Sequence, residues 1–264
     1  LPGTGVIKET TIDRFTERAA NDSSAKVRLE IACALQRLLH KDRLTIAAAL
    51  TSHAKDATDP YLPLMIWSGL EPAVVDNSDA ALRLAENSTI PVIRRYIARR
   101  LIDQPSPAIE QVVITALAKN HEGFRRDLLQ GMFEALDGLG TQDAPPAWKS
   151  LYAEVATAAD PRLRSIGVKL ATIFGDRQAI GNLQRIVTDD NATDEDRREA
   201  LKSLLQLDNG VPVDMLHQLV SEDSTIRRDA ILALGVKNAP TTVNVLLSRY
   251  ASLSSTEKQD VVGV

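Results

Sequence analysis

The chain reads as an all-α protein, a stack of helix pairs forming an α-α superhelix (solenoid). Three observations predict this. Apolar residues recur at helical spacing throughout, with no strand-like alternation. An arginine recurs near the start of an apolar helical stretch at Arg28, Arg95, Arg126, Arg164, Arg198 and Arg228, spaced about 30 to 38 residues apart, with one double gap after Arg28. Aromatic residues make up only 4% of the 264 residues, which suits helix pairs packed through Leu, Ala, Ile and Val. A repeat of this period, two helices per unit, lets each unit bury its apolar face only on its neighbours.

Each unit opens with a polar turn. Asp22, Asp59-Pro60, Ser88-Thr89, His121-Glu122, Asp160-Pro161, Thr193-Asp194 and Asp223-Ser224 precede seven apolar helices, the second helix of each pair. The Asp, Ser and Thr oxygens are suited to accept the free N–H groups of a first helical turn. Pro60 and Pro161 fit the first helical position, where no N–H bond is lost. The first helices are predicted at Ile12–Ala20, Asp42–Ser52, Asp79–Glu86, Ser106–Lys119, Pro145–Ala158, Asp176–Val187, Val211–Val220 and Pro240–Tyr250. This gives about seven helix pairs and the start of an eighth in one domain spanning residues 1–264, with residues 1–11 an irregular lead-in. The Asp59–Leu70 segment fills the double gap with an apolar residue in the arginine slot.

Charge and composition narrow the function. The net charge of −4 does not advertise the basic face that phosphate binding needs. No run approaches the roughly 18 apolar residues of a membrane span, so no membrane insertion is expected. Cys33 is the only cysteine and reads as a small buried hydrophobe in the run Ile31–Leu35. His40, His53, His121 and His217 have no metal-ligand spacing and read as surface or capping residues. Asp189, Asp190, Asn191, Thr193, Asp194 and Asp196 form an oxygen-rich loop. It lacks the glycine and bidentate Glu of an EF-hand and reads as a solvated turn with a cap. No Ser-His-Asp set, HExxH, P-loop or GxGxxG is present, so no catalytic, cofactor or metal residue is assigned and no cofactor is expected.

Two surfaces remain. The arginine pairs Arg94-Arg95, Arg99-Arg100, Arg125-Arg126, Arg197-Arg198 and Arg227-Arg228 form either a basic stripe for phosphates or an acidic partner, or a structural ladder with a second, solvated arginine. The acids interleaved among them favour the ladder. Tyr61, Met65 and Trp67 lie in the densest aromatic and apolar patch. They are either a docking surface or a core helix with Trp67 against a neighbouring repeat.

The alternation of turn acid and helix arginine resembles the HEAT-repeat (armadillo-like) motif, in which the acid of one unit and the arginine of the next helix stack along the array. The resemblance implies a structural ladder of Asp22, Arg28, Arg95, Arg126, Asp160, Arg164, Asp194, Arg198, Asp223 and Arg228. Charge-assisted hydrogen bonds of this kind satisfy backbone groups buried in inter-repeat turns. Three phrases are more specific: Asp59-Pro-Tyr-Leu-Pro-Leu-Met-Ile-Trp67, Leu170-Ala-Thr-Ile-Phe-Gly-Asp176, and Leu247-Ser-Arg-Tyr-Ala-Ser-Leu-Ser-Ser-Thr-Glu257 with a helix starting after it. Together they resemble the helical region of planctomycete-type membrane-bound dehydrogenases. In that family a propeller-like dehydrogenase domain precedes a HEAT-like array, and a c-type cytochrome (haem-binding) domain follows.

That resemblance implies an exported or periplasmic protein. It implies a non-enzymatic segment that holds redox domains apart or binds a protein partner. No haem-attachment CxxCH occurs here, so the family's haem, quinone and catalytic residues have no counterpart. The absence of an initial Met and a last stretch that reads as an unfinished helix lead to the expectation of an excised fragment of a longer protein. Two rival readings are a HEAT-like enzyme of lyase or DNA glycosylase type, and a nucleic-acid-binding solenoid using the arginine stripe.

Overall fold

The computed structural model describes residues 9–103, 108–205, 207, 210–222, 224–237 and 239–263. The fold is all-α, as the sequence predicts, with no strand among the described residues. The helices are α1 (Glu9–Asn21), α2 (Ala25–Ala34), α3 (His40–Leu50), α4 (Leu62–Val74), α5 (Ser78–Asn87), α6 (Pro91–Ile102), α7 (Ala108–Ala118) and α8 (Glu122–Leu136). They continue with α9 (Trp148–Val155), α10 (Pro161–Ile173), α11 (Arg177–Thr188), α12 (Asp194–Leu205), α13 (Val213–Ser221), α14 (Arg227–Lys237), α15 (Thr242–Arg249) and α16 (Ser255–Gly263).

The chain divides into two compact units. The first lies within residues 1–136 and 144–167, the second within 137–143 and 168–264, so the division falls inside α10. In the first unit α1 packs on α3, α3 on α5, α5 on α7 and α7 on α9, and α2 on α4, α4 on α6 and α6 on α8, while successive helices also pack on each other, as α3 does on α4 and α7 on α8. In the second unit α11 packs on α12, α13 on α14, α13 on α15 and α14 on α16. Each unit has its own apolar interior. Ile93, Ile97, Phe124 and Leu128 are fully buried in the first, and Leu204, Leu216, Ile226 and Leu234 in the second. Removing each such side chain from water contributes about 1.5–3 kcal/mol.

Local chemistry sets the helix ends. Asp59 Oδ1 accepts from the N–H groups of Tyr61 (2.9 Å) and Leu62 (2.8 Å), which holds its carboxyl below the usual carboxylate range. Asp176 caps α11 by accepting from Gln178 and Ala179 N–H. Immediately before it, Gly175 stops α10 in the left-handed region, at φ 70°. Its N–H reaches Thr172 O at 3.0 Å, and the Asp176 N–H reaches Ala171 O at 2.9 Å. That bond pair is the Schellman stop, which favours a residue without Cβ. Ser254 and Glu257 form a capping box on α16. The Glu257 carboxylate accepts from Ser254 N–H at 2.8 Å, and Ser254 Oγ accepts from Glu257 N–H at 3.3 Å.

Several predicted boundaries move. α1 begins at Glu9, so the end of the predicted irregular lead-in is helical; residues 1–8 lie outside the described residues, as do residues 104–107 at the start of the predicted Ser106 helix. Pro161 opens α10 as predicted, but Pro60 stays in the turn and α4 starts at Leu62. α9 is shorter than the predicted Pro145–Ala158. Each proline disfavours helical geometry in the residue before it, so Ala144 and Pro145 remain outside the helix. α16 starts at Ser255, within the third phrase rather than after it.

Candidate functional site

Arginine sits in the same structural place in repeat after repeat, and the place is set by helical periodicity. Arg28, Arg94, Arg125, Arg197 and Arg227 each lie three and four residues before a buried pair: Ile31-Ala32, Ile97-Ala98, Leu128-Leu129, Ala200-Leu201 and Ala230-Ile231. Residues at that spacing share one helix face. These arginines therefore point at the seam between repeats.

Arg28 is completely buried. Its Nε and Nη2 donate to the two carboxylate oxygens of Asp56, both at 2.6 Å, and its Nη1 donates to the carbonyl of Asp22 at 2.7 Å. The fork geometry of guanidinium and carboxylate makes such a bidentate pair strong and orientation-specific. The Asp56 carboxylate raises the Arg28 pKa further above its ordinary value. Arg94 repeats the design one step along. Its Nε donates to Ser88 O at 2.8 Å and its Nη1 to Asp127 at 3.0 Å. Burial pushes the Asp127 carboxyl up, against the pull of Arg94. Arg125 donates to Ala116 O (3.0 Å) and to Glu154 (2.6 Å). In the second unit, Arg197 donates to Val187 O and to the Ser224 hydroxyl, both at 3.0 Å, and Arg227 donates to Glu257 at 2.8 Å.

The ladder predicted from sequence is thus corrected in register. Arg28 holds the inner slot. Arg95, Arg126, Arg198 and Arg228 sit one residue further on, 100° around the helix. Arg126 donates to Asp160 at 2.7 Å, joining the α8 start to the next turn. Arg198 meets Asp229 (3.2 Å) and Arg228 meets Asp260 (2.7 Å), both toward solvent. Arg95 lies 3.3 Å from Glu134. Arg164 is in the inner register but exposed, donating to Ala158 O and Ala159 O at 2.6 and 3.0 Å. Among the acids, Asp22 contributes its carbonyl to the ladder, while its carboxylate pairs with Arg18 at 3.1 Å. Asp194 accepts from the Thr225 hydroxyl at 2.6 Å rather than from Arg198. Asp223 lies outside the described residues. In α4 the position three and four residues before the buried pair Gly69-Leu70 is the fully buried Ile66, in keeping with the apolar slot predicted for that unit, and Met65 beside it is half-buried.

The predicted docking patch divides. Tyr61 is 65% exposed and its neighbour Leu64 49%. Trp67 is half-buried and packs against Tyr96 of α6, ring centroids 5.3 Å apart and planes at 49°. Both rings line an open groove of about 590 Å3 between α4 and α6, with Leu64, Arg99 and the Arg100–Glu71 ion pair. Trp67 therefore serves as inter-repeat packing and groove wall together.

The remaining sequence candidates take local roles. Cys33 is exposed, contrary to the buried reading. It lies one helical step past the buried Ala32, on a helix whose apolar residues run all round it. His121 Nδ1 accepts from the Phe124 N–H at 3.1 Å and caps α8. His53 meets Ala19 O at 2.7 Å and His40 meets Asp76. In the acidic loop, Thr193 donates its hydroxyl proton to Asp196 and accepts from the Asp196 N–H, capping α12. Among the described residues no group of His, Cys, Asp and Glu is placed to hold a metal ion, and no helix is long and apolar enough to cross a membrane.

No family model, curated protein or solved structure matches the chain.

Proposed function

We propose that this chain is a non-enzymatic repeat array of HEAT-like character that holds or binds other protein domains. One observation carries the reading: the same arginine joint recurs at the seams of both units, from Arg28 to Arg227, and is spent on carbonyls and carboxylates of the adjoining turns. Side chains committed in this way stiffen a stack of helices and leave open grooves along it, which is the physical advantage of a repeat array as a support.

The finer reading is that the array separates a propeller-type dehydrogenase domain from a c-type cytochrome domain in an exported protein. Its support is the three sequence phrases. Two of them hold a structural device: the Gly175–Asp176 stop and start, and the Ser254–Glu257 capping box. Against a phosphate-binding stripe stands the pairing of Arg126, Arg198 and Arg228 with carboxylates, which a phosphate would have to displace.

The test is the reading frame that encodes this segment, combined with a turnover assay on the isolated chain. A propeller domain encoded upstream and a CxxCH downstream are the expected result. Unrelated neighbours overturn the redox assignment, and intrinsic turnover of a substrate by the isolated chain overturns the non-enzymatic one.

A further inference from the structure

A second groove of the first unit carries a cation that the ladder leaves unused. It lies between the first turn of α6, the middle of α8 and the start of α10, and encloses about 330 Å3. Its walls are Pro91, Val92, Arg95, Gln130, Arg162 and Ile166, with Arg126 and Asp127 completing the lining. Arg126 is engaged by Asp160 at 2.7 Å, and Asp127 by Arg94 at 3.0 Å. Arg95 is held less well. Its Nε lies 3.3 Å from Glu134 Oε2, yet the two are misaligned, and neither of these buried atoms completes a hydrogen bond. Arg162 is exposed. Its backbone N–H donates to Asp160 at 2.9 Å, and its guanidinium has no acceptor among the described residues.

Among the charged side chains that line the groove and their ion-pair partners, four arginines (Arg94, Arg95, Arg126, Arg162) face three acids (Asp127, Glu134, Asp160). One positive charge is left, and it is the one at the rim. The groove already shows how it treats anions, since two of its acids are carboxylates each held by one guanidinium N–H: Asp127 by Arg94 at 3.0 Å and Asp160 by Arg126 at 2.7 Å. Gln130 donates its amide proton to Glu134 at 2.7 Å, which leaves its carbonyl oxygen for a peptide N–H.

We propose that this groove docks an acidic peptide segment, with an incoming carboxylate received by Arg162 and Arg95 between the apolar flanks of Val92 and Ile166. Three fixed carboxylates interrupt the positive field, so the site suits a single side-chain carboxylate in an apolar frame better than a run of phosphates, which wants an unbroken basic track. The inference rests on the interaction-array reading and names the chemistry of one partner surface. Its failure leaves that reading in place, because the array is decided by the reading frame and by turnover.

The experiment is fluorescence anisotropy on the 264-residue chain. The probes are a fluorescein-labelled peptide alternating Asp or Glu with Leu, the same peptide with Asn and Gln in place of the acids, and inorganic phosphate as competitor. The acidic peptide should bind at least about tenfold more tightly than its amide counterpart, and added salt should weaken it. Arg162→Glu should lose at least about tenfold in affinity while its thermal melt is unchanged, as expected for an exposed side chain without a partner. Arg177→Glu, which reverses an exposed charge in the second unit, should bind as the parent does. Equal binding of the two peptides, full retention in Arg162→Glu, an equal loss in Arg177→Glu, or complete displacement by phosphate at the peptide's own concentration would each overturn the proposal.

Discussion

The two units join their repeats with the same chemical device, but the first encloses one joint, Arg28–Asp56, more completely than the second encloses any of its own described pairs. In the first unit Arg28 and Asp56 have side chains 0% and 4% exposed, and Arg94 and Asp127 14% and 9%. In the second, Arg198 and Asp229 are 43% and 41% exposed. Arg227 and Glu257 are the more enclosed pair there. An ion pair in water contributes little, because solvent screens it and two long side chains lose freedom. An enclosed pair adds little net stability either, since both charges were desolvated, but it cannot lose one member without leaving a charge stranded. The fully enclosed Arg28–Asp56 joint of the first unit therefore acts as a specificity lock, and the Arg198–Asp229 pair of the second as an adjustable surface.

The largest expected effect breaks the lock. Asp56→Ala leaves the Arg28 guanidinium buried without its carboxylate and should cost about 3–5 kcal/mol in urea unfolding. Replacing both residues, Arg28→Met with Asp56→Leu, should cost less than the sum of the single changes. Additive costs, or a loss below about 1 kcal/mol for Asp56→Ala, would dissolve the contrast between the units.

Glycine gives the next contrast. A Cβ on Gly131 of α8 would stand 2.1 Å from the Arg95 carbonyl of α6, so Gly131→Ala must force those helices apart, at about 1–3 kcal/mol or more. Gly181, inside α11 of the second unit, has nothing within 4 Å of the same position, and Gly181→Ala should stabilise by about 0.5–1 kcal/mol. Thermal melts of the two variants shifting in the same direction would show that helix crossing distance does not separate the units.

Acid should separate the joints. Arg227 holds the Glu257 carboxyl down at about 2. Its folded value lies below its unfolded one, so its stabilisation is complete above the ordinary carboxylate range near 4.5 and is lost as pH falls from there toward about 2. Asp127 is opposite in sign. Burial raises its carboxyl, so protonation favours the folded state as pH drops. Hydrogen exchange between pH 5 and 3 should therefore show α16 loosening before the α6–α8 joint. In Glu257→Gln that dependence should flatten. Loosening of α6–α8 first would contradict this assignment.

The smallest effect is expected at the surface. Arg198→Ala should change stability by less than about 1 kcal/mol, and the change should vanish at about 1 M salt.

Much of the fold was legible because its signals are local. Asp59, Asp176 and Pro161 mark helix starts through capping and fixed φ, and the even-numbered helices follow an apolar 3.6-residue period. The inner arginines carried a signal too: Arg94, Arg125, Arg197 and Arg227 each precede a buried apolar pair by three and four residues. Counting backward from those pairs would have selected the first arginine of each doublet rather than the second. Cys33 resisted reading because α2 has apolar residues on every side, so its buried face cannot be told from its pattern.

The sequence by itself determined that the chain is helical, where helices such as α10 and α11 start, and that an arginine recurs in every repeat but the Asp59 unit. Those properties depend on residues within one or two turns of each other. The tertiary structure alone decided which acid each arginine meets, some 28 to 34 residues away: Asp56 for Arg28, Asp127 for Arg94, Asp160 for Arg126. It also decided that Asp22 serves through its carbonyl, and that Arg162 is left without an acid beside the groove. Carboxylates are plentiful along the chain and chemically alike. Only the packing of one helix pair on the next brings one of them within reach of a given guanidinium and excludes water from the contact.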